Sequence, residues 1–471
     1  MKQINQYFSY AFGAFGHDAF YATLSTYFMM FVTSQLFDGD SAAQNAKMIG
    51  YVTTMIVVIR LVEIMFDPLI GGLVDNTETK WGKFKPWLFV GALISGLMLM
   101  LIFTNFGGLT VSNPMLYLIL FAIAFVILDI FYSFKDISFW SMLPALSLDS
   151  KTRTKFGTIA RFGSTLGAQG VAIIIVPLVV YFSHIFSGTT GQTQTRTGWF
   201  WFAVVIAVVS FLGALATCLG TKEQTNAIRE QTEHTRFRDV FKVIGENDQL
   251  MWLAFSYFLF ALSYVVTNSL LIYYFRYIMG KPTEFSLVGV ETAILGVISV
   301  AIFPLVESWI KRRAIYMGGI AVMLLGYVTF LFAGTNLTIV LIGVALFFFP
   351  YPMVFLATLM TITDSVEYGQ LKNGTRNESV TLSVRPLIDK LAGAFANGIV
   401  AFAAIAAGMT GSAKASSISA SGILQFKTYM FYAPMILLVI AAIIFARHVK
   451  LSEAEHAKIV AQLENNLDNQ D

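Results

Sequence analysis

The chain has 471 residues, 56% of them hydrophobic and only 13% charged, with a mean hydropathy of +0.69. A water-soluble protein carries about 25% charged residues, so this deficit, with repeated apolar runs of spanning length, identifies a polytopic membrane protein. No polar stretch is long enough for a soluble catalytic domain, the net charge of +3 gives no reason to expect a nucleic-acid partner, and the single cysteine, Cys218, excludes an internal disulfide.

Twelve apolar stretches are expected to cross the bilayer, at approximately 8–36, 48–74, 84–105, 115–144, 156–185, 198–220, 249–279, 287–310, 314–334, 338–364, 380–408 and 428–447. The N-terminus MKQINQY has no cleavable signal pattern, and the first apolar run is far longer than a signal core. Only helices satisfy their own backbone groups in lipid at this span length, so the fold class is an all-α membrane protein. Lys and Arg mark the orientation. Twenty of them fall in segments on the N-terminal side of the membrane and five on the other, which puts both termini in the cytoplasm.

The first span carries His17 and Asp18 among small and aromatic residues. A lone buried His is usually a packing residue; beside a buried Asp within a span, a polar cavity is the better reading. The second span runs RLVEIMFDPLIGGLVD and then leaves through the basic turn Lys80 to Lys85. Arg60, Glu63 and Asp67 recur at three and four residues, on one helical face. A charge in the bilayer costs several kcal/mol unless it faces a cavity or a partner, so this face is the leading candidate for ion coupling. The alternative is a structural ion-pair cluster between helices.

In the fourth span Asp129, Ser133, Asp136 and Trp140 share a face, with Lys135 beside them. An acid next to an indole suits a sugar, because the carboxylate accepts hydroxyl protons while the ring covers an apolar sugar face. Trp140 could instead be an interfacial anchor. The fifth span adds Arg161, a rigid fork of donors able to bridge a carboxylate and sugar hydroxyls.

A degenerate repeat divides the chain. Phe66-Asp67-Pro68-Leu69-Ile70 precedes one basic turn and Ile302-Phe303-Pro304-Leu305-Val306 precedes Lys311-Arg312-Arg313, with the prolines 236 positions apart. Two six-helix halves are expected, 1–220 and 248–447, around a site between them near mid-membrane. The joining segment 221–247 reads either as a plain linker or as a helix on the inner membrane surface carrying Phe237, Val240, Phe241 and Ile244. Span eleven carries Arg385 and Asp389 one turn apart, able to neutralise each other, and Lys390 as a counter-charge for acids on the second helix. The tail 448–471 reads as a short charged helix or as disordered. No phosphate loop, metal-ligand cluster or nucleophile–base pair stands out, so no metal or other cofactor is expected, and an enzyme or ATP-driven pump is disfavoured.

The stretches FGAFGHDAFYATLSTYF, DPLIGGLVDNTETKWGKFKPW, KDISFWSMLPALSLD and DSVEYGQLKNGTRNESVTLSVRPLIDK resemble the glycoside–pentoside–hexuronide cation symporters, a branch of the major facilitator superfamily, and within it the galactoside permeases of lactic acid bacteria. The resemblance covers essentially the whole chain and implies the major facilitator fold. It assigns sugar binding to Asp18, Asp136, Trp140 and Arg161, with His17 where the melibiose carrier has a lysine. It places the cation site on Glu63, Asp67 and Ser133 with Lys390 nearby; Arg60, Lys372, Glu378 and Arg385 are expected to form a surrounding gating and charge network. Two departures carry weight. The sodium-using melibiose carrier has an asparagine just before the second acid, where this chain has Phe66, which offers no oxygen; proton coupling is therefore expected rather than sodium. A histidine that the galactoside relative has between the counterparts of Lys372 and Glu378 is here Thr375. That relative also carries a regulatory domain after the last helix, and the chain stops at Asp471 without one, so regulation through such a domain is not expected.

With that resemblance the sequence reads as a secondary transporter in a bacterial cytoplasmic membrane, importing a lactose-type galactoside with a cation by alternating access and, as the resemblance implies, able to exchange it for galactose. Its partners would be the sugar, the coupling ion and the bilayer, with no second copy required. Sodium coupling, or xyloside, glucuronide or raffinose-type substrates, are the alternatives within the family; an uncoupled facilitator or a sugar sensor are the alternatives outside it.

Overall fold

Several of the long helices start where a polar side chain replaces missing backbone partners. Asn113 accepts from Leu116 N at 3.2 Å just ahead of Pro114, Thr195 from Gly198 N at 3.2 Å, Asn247 from Leu250 N at 3.1 Å and Ser419 from Gly422 N at 3.1 Å. The computed structural model describes residues 3–37, 42–191, 193–224, 240–281, 284–409 and 418–468, and among them every regular element is a helix.

Twelve long helical segments follow one another, then a thirteenth helix, with short helices at Leu109–Ser112 and Val240–Glu246 between them. α1 covers 3–36 and contains two π turns, Thr23–Tyr27 and Val32–Leu36. Next come α2 (Ala42–Asp75), α3 (Lys85–Ile102), α4 (Pro114–Leu146), α5 (Ser150–Ser187) and α6 (Arg196–Gly220). After them run α7 (Asp248–Ile278), α8 (Phe285–Trp309), α9 (Arg312–Ala333), α10 (Leu337–Asn373), α11 (Glu378–Ala406), α12 (Ala420–His448) and α13 (Glu453–Asp468). Among the described residues nine of these are long and apolar enough to cross a membrane unaided, and eleven when the bent α2 and α5 each count as one span.

Both bends have a proline cause. α2 turns by 50° between Glu63 and Met65, and α5 by 45° between Val171 and Ile173. Pro68 and Pro177 lack the N–H that would bond the carbonyl four residues back, at 64 and 173, and their rings crowd those carbonyls.

Two span boundaries lie eight or nine residues from the sequence reading, the others within six. α10 continues nine residues beyond 364, because Asp364 and Glu367 are paired with guanidinium groups and need not leave the helix for water; it ends only at Gly374, whose φ of +72° suits glycine. α12 begins at Ala420 rather than 428, since the Ser419 cap starts it within what read as a polar loop. In the joining segment a seven-residue helix, Val240–Glu246, buries Val240 and exposes Phe241, while Phe237 lies outside the described residues. The tail is helical: Leu451, Ile459 and Leu463 pack on Leu148, Tyr368 and Leu371.

The chain divides into two compact units, one of residues 1–147 and 155–224, the other of residues 148–154 and 225–471. The seven residues 148–154, read from sequence as part of the first half, thus group with the second unit. The first unit has an aromatic core in which Phe28 stacks on Phe121 at 5.9 Å and Phe31 lies 4.9 Å from Phe103. The second joins α9 to α12 through Tyr316 and Phe445, 3.9 Å apart, and α7 to α10 through Tyr264 and Tyr351, 3.8 Å apart.

Candidate functional site

Close helix contact brings the first-unit charges together. A β-carbon on Gly163 or Gly167 of α5 would strike the carbonyl oxygen of Ala11 or Phe15 on α1. Glycines one turn apart let two backbones touch, and this contact sets Ser164 against Asp18. The Ser164 hydroxyl donates to Asp18, and Arg161 Nη1 donates to Ser164 Oγ at 3.4 Å. A polar chain therefore runs from Arg161 through Ser164 to Asp18.

One residue before Asp18, His17 is 3% exposed, and its Nε2 lies 3.0 Å from Asp136 Oδ1 and 3.1 Å from the Tyr132 hydroxyl. Asp18 is 4.0 Å from the same nitrogen. The imidazole sits between the Tyr132 and Phe139 rings, at 5.3 and 5.6 Å. Trp140 meets Phe139 edge-on at 5.3 Å and is buried, which removes the interfacial-anchor alternative for it.

One turn before Asp136 on α4, the Ser133 hydroxyl lies 2.6 Å from Glu63 Oε1 and 3.0 Å from Asp67 Oδ1. All three side chains are buried. A serine hydroxyl has one proton to donate and can accept in return, so a proton carried by either carboxyl completes a bridge in which both contacts are hydrogen bonds. Arg60 is half-buried one turn earlier, and Phe66, 50% exposed, points away from this bridge. Asp129 is also buried.

The expected residues of the second unit are dispersed. Arg385 pairs with Asp389 at 3.3 Å, and the Tyr257 hydroxyl reaches the same acid at 3.4 Å. Lys390 is half-buried beside them. Lys372 pairs with Asp248 at an exposed edge. Glu378 instead belongs to a buried ionic cluster at the end of α10. Arg376 gives Nε to Glu378 at 2.7 Å, Nη1 to Gln370 at 2.9 Å and Nη2 to Glu367 at 3.0 Å. Arg153 bonds Glu367 and, at 3.2 Å, Asp364, while Arg312 bonds Asp364 at 2.7 Å. From the tail helix, His456 Nε2 lies 3.2 Å from Glu367 and Glu453 accepts from Arg312 Nε at 3.1 Å.

A family model described as MFS/sugar transport protein matches residues 9–453 of this chain. The chain belongs to that family. It is accordingly a multi-pass membrane transporter of sugars, not an enzyme. It is 49% identical to the lactose permease of Lactobacillus delbrueckii subsp. bulgaricus over 463 residues, 98% of this chain and 73% of that one. It is 46% identical to the raffinose carrier protein of Pediococcus pentosaceus over 456 residues, 97% and 70% of the two chains. Among solved structures, a bacterial homologue of the iron transporter ferroportin superposes with a TM-score of 0.66 at 14% identity, covering 96% of this chain and all of that one. That likeness is one of fold.

Within this sugar-transport family member, the sequence reading missed Tyr132, Ser164 and Ser210, and most of the ionic cluster. The hydroxyls gave no signal, since serine and tyrosine are common in such spans. Asp364 and Glu367 did give one: two acids three residues apart in an apolar helix. Arg153, Arg312 and Arg376 read in the sequence only as loop charges that mark orientation.

Proposed function

We propose that this transporter imports a galactoside of the lactose type together with a proton, by alternating access, and can exchange it for galactose. The observation that carries the reading is the arrangement on α4: Ser133 joins Glu63 and Asp67, and one turn later Asp136 joins His17. An ion site and a sugar site on one helix give a direct physical route for occupancy of one to bias the other. A proton needs only one carboxylate, whereas sodium needs several oxygen ligands, and the side chain before Asp67 is an exposed phenyl ring. Two relatives, the lactose permease of Lactobacillus delbrueckii and the raffinose carrier of Pediococcus pentosaceus, are named for sugars that contain galactose, which supports a galactoside and keeps α-galactosides such as raffinose as the second reading. In this reading both termini face the cytoplasm, Lys390 is the counter-charge that the second-helix acids exchange for a proton, and Arg60, Lys372, Glu378 and Arg385 belong to the gates.

In vesicles carrying the purified protein, Glu63→Gln and Asp67→Asn should abolish uphill lactose accumulation driven by a pH gradient and leave counterflow measurable. Full accumulation in both variants would reject the coupling role. Accumulation driven by a sodium gradient with no pH gradient would reject the proton, and stronger competition by raffinose or a glucoside than by lactose would reject the lactose-type substrate.

A further inference from the structure

Five rings from α1 and α4 interleave beside the sugar residues, in the order Tyr10, Phe139, His17, Tyr132, Tyr21. Successive centroids are 4.5, 5.6, 5.3 and 5.7 Å apart and successive planes lie within 24° of parallel, an arrangement in which offset aromatic rings attract. Helix geometry makes the alternation possible. Tyr10 and His17 on α1, like Tyr132 and Phe139 on α4, are seven residues apart, a rise of about 10.5 Å that leaves room for one ring of the other helix. The column therefore fixes the register of α1 against α4.

Tyr21 stands 44% exposed at one end, and Tyr10, fully buried, closes the other. Tyr10 holds Phe139 twice, by the stacked ring and by its hydroxyl, which donates to the Phe139 carbonyl at 2.8 Å. That bond falls where the ladder of α4 is interrupted, because Pro144 has no N–H for the carbonyl of Trp140. From α5, Phe156 meets Tyr10 edge-on at 5.9 Å. Phe139 in turn touches two of the residues read as sugar ligands: it lies parallel to the imidazole whose Nε2 reaches Asp136, and it meets the Trp140 indole edge-on. A ring nitrogen reaches a given carboxylate only while the ring plane is held, and Phe139 is one of the two rings that hold it. We propose that Tyr10 is a positioning residue for sugar binding: through Phe139 it sets the plane of His17 against Asp136 and the tilt of Trp140, two turns away from the nearest sugar ligand on its own helix. This rests on the reading of His17, Asp136 and Trp140 as sugar ligands.

Half-saturation and maximal rate of lactose counterflow, with the thermal midpoint, should be compared in wild type, Tyr10→Phe, Tyr10→Leu, Phe139→Leu and the double variant Tyr10→Leu/Phe139→Leu. Phenylalanine keeps the stack and loses the hydroxyl, and should weaken lactose binding about two- to fivefold. Leucine loses the ring as well and should weaken it at least about tenfold, with the maximal rate within about twofold of wild type, since a slack site costs binding rather than turnover. In the Phe139→Leu background Tyr10→Leu should cost no more than about twofold, because the ring it acts through is already gone. Should the leucine form fail to insert, Tyr10→Phe alone and with Phe139→Leu carries the same comparison. Wild-type half-saturation in Tyr10→Leu or, where that form does not insert, in Tyr10→Phe, a loss confined to maximal rate or thermal midpoint, or an equal loss of affinity with and without Phe139 would reduce Tyr10 to packing and overturn the proposal alone. Absence of galactoside binding in the wild type itself would overturn the sugar reading and this inference together.

Discussion

Arg376 is the point at which the ionic cluster of the second unit is most vulnerable. Its side chain is 1% exposed and spends three donors on Glu378, Gln370 and Glu367. Replacing it by alanine leaves Glu367 with Arg153 and His456, but takes from Glu378 the guanidinium that faces it at 2.7 Å. Breaking a buried ion pair from one side costs about 3–5 kcal/mol, chiefly because a desolvated charge is left behind. At about 2–4 °C per kcal/mol for a unit of this size, Arg376→Ala should lower the thermal midpoint of the detergent-purified protein by about 6–20 °C. The loss should not be additive: Glu378→Gln added to Arg376→Ala should recover at least about 1.5 kcal/mol, because the carboxylate that lost the Arg376 hydrogen bond is then neutral. Arg376→Lys should fall between, one ammonium being unable to reach three acceptors in the guanidinium's fork geometry. The measurement is intrinsic tryptophan fluorescence on heating, with lactose counterflow before and after. A midpoint within about 2 °C of wild type for Arg376→Ala, or no recovery in the double variant, would show that the cluster is solvated in the working protein and refute the reasoning.

Tyr132→Phe keeps the ring beside His17 and removes only the hydroxyl at 3.1 Å; losing one hydrogen bond of about 0.5–1.5 kcal/mol should weaken lactose binding about two- to twelvefold with normal membrane yield, and unchanged affinity would take the hydroxyl out of the site. Gly163→Leu should push α5 off the Ala11 carbonyl and abolish sugar binding together with most of the membrane yield, whereas Gly170→Leu, with nothing within 4 Å of its β-carbon, should be tolerated. Burial pushes the Glu453 carboxyl up, but the Arg312 backbone N–H and guanidinium outweigh it and hold the group below the usual glutamate range. A depressed folded-state value contributes stability that is complete above the ordinary glutamate pKa of about 4.3 and fades as pH falls through the folded value. Amide protection of α13, compared between wild type and Glu453→Gln, should therefore differ fully from pH 5 to 8 and converge only below about pH 4; convergence near pH 6 would mean that another group holds the tail.

The sequence by itself determined the class, the helical spans and the acids of α2 and α4, because a charge in a lipid-length apolar run stands out whatever surrounds it. The register of three and four residues already placed Glu63 with Asp67 and Ser133 with Asp136, since helix geometry is local. Which helix each face meets was not legible. That His17 meets Asp136, that Ser164 stands between Arg161 and Asp18, and that Lys135 turns to Ser210 depend on how closely α1 approaches α4, α5 and α6. Only the packed structure sets those distances, through backbone contacts at glycines such as Gly163 that look alike in sequence whether or not anything presses on them. The ionic cluster is the extreme case. Arg153, Arg312, Arg376 and His456 are up to about three hundred residues apart, each reads alone as a solvated loop or tail charge, and only the fold of the second unit removes the water that would have made them unimportant.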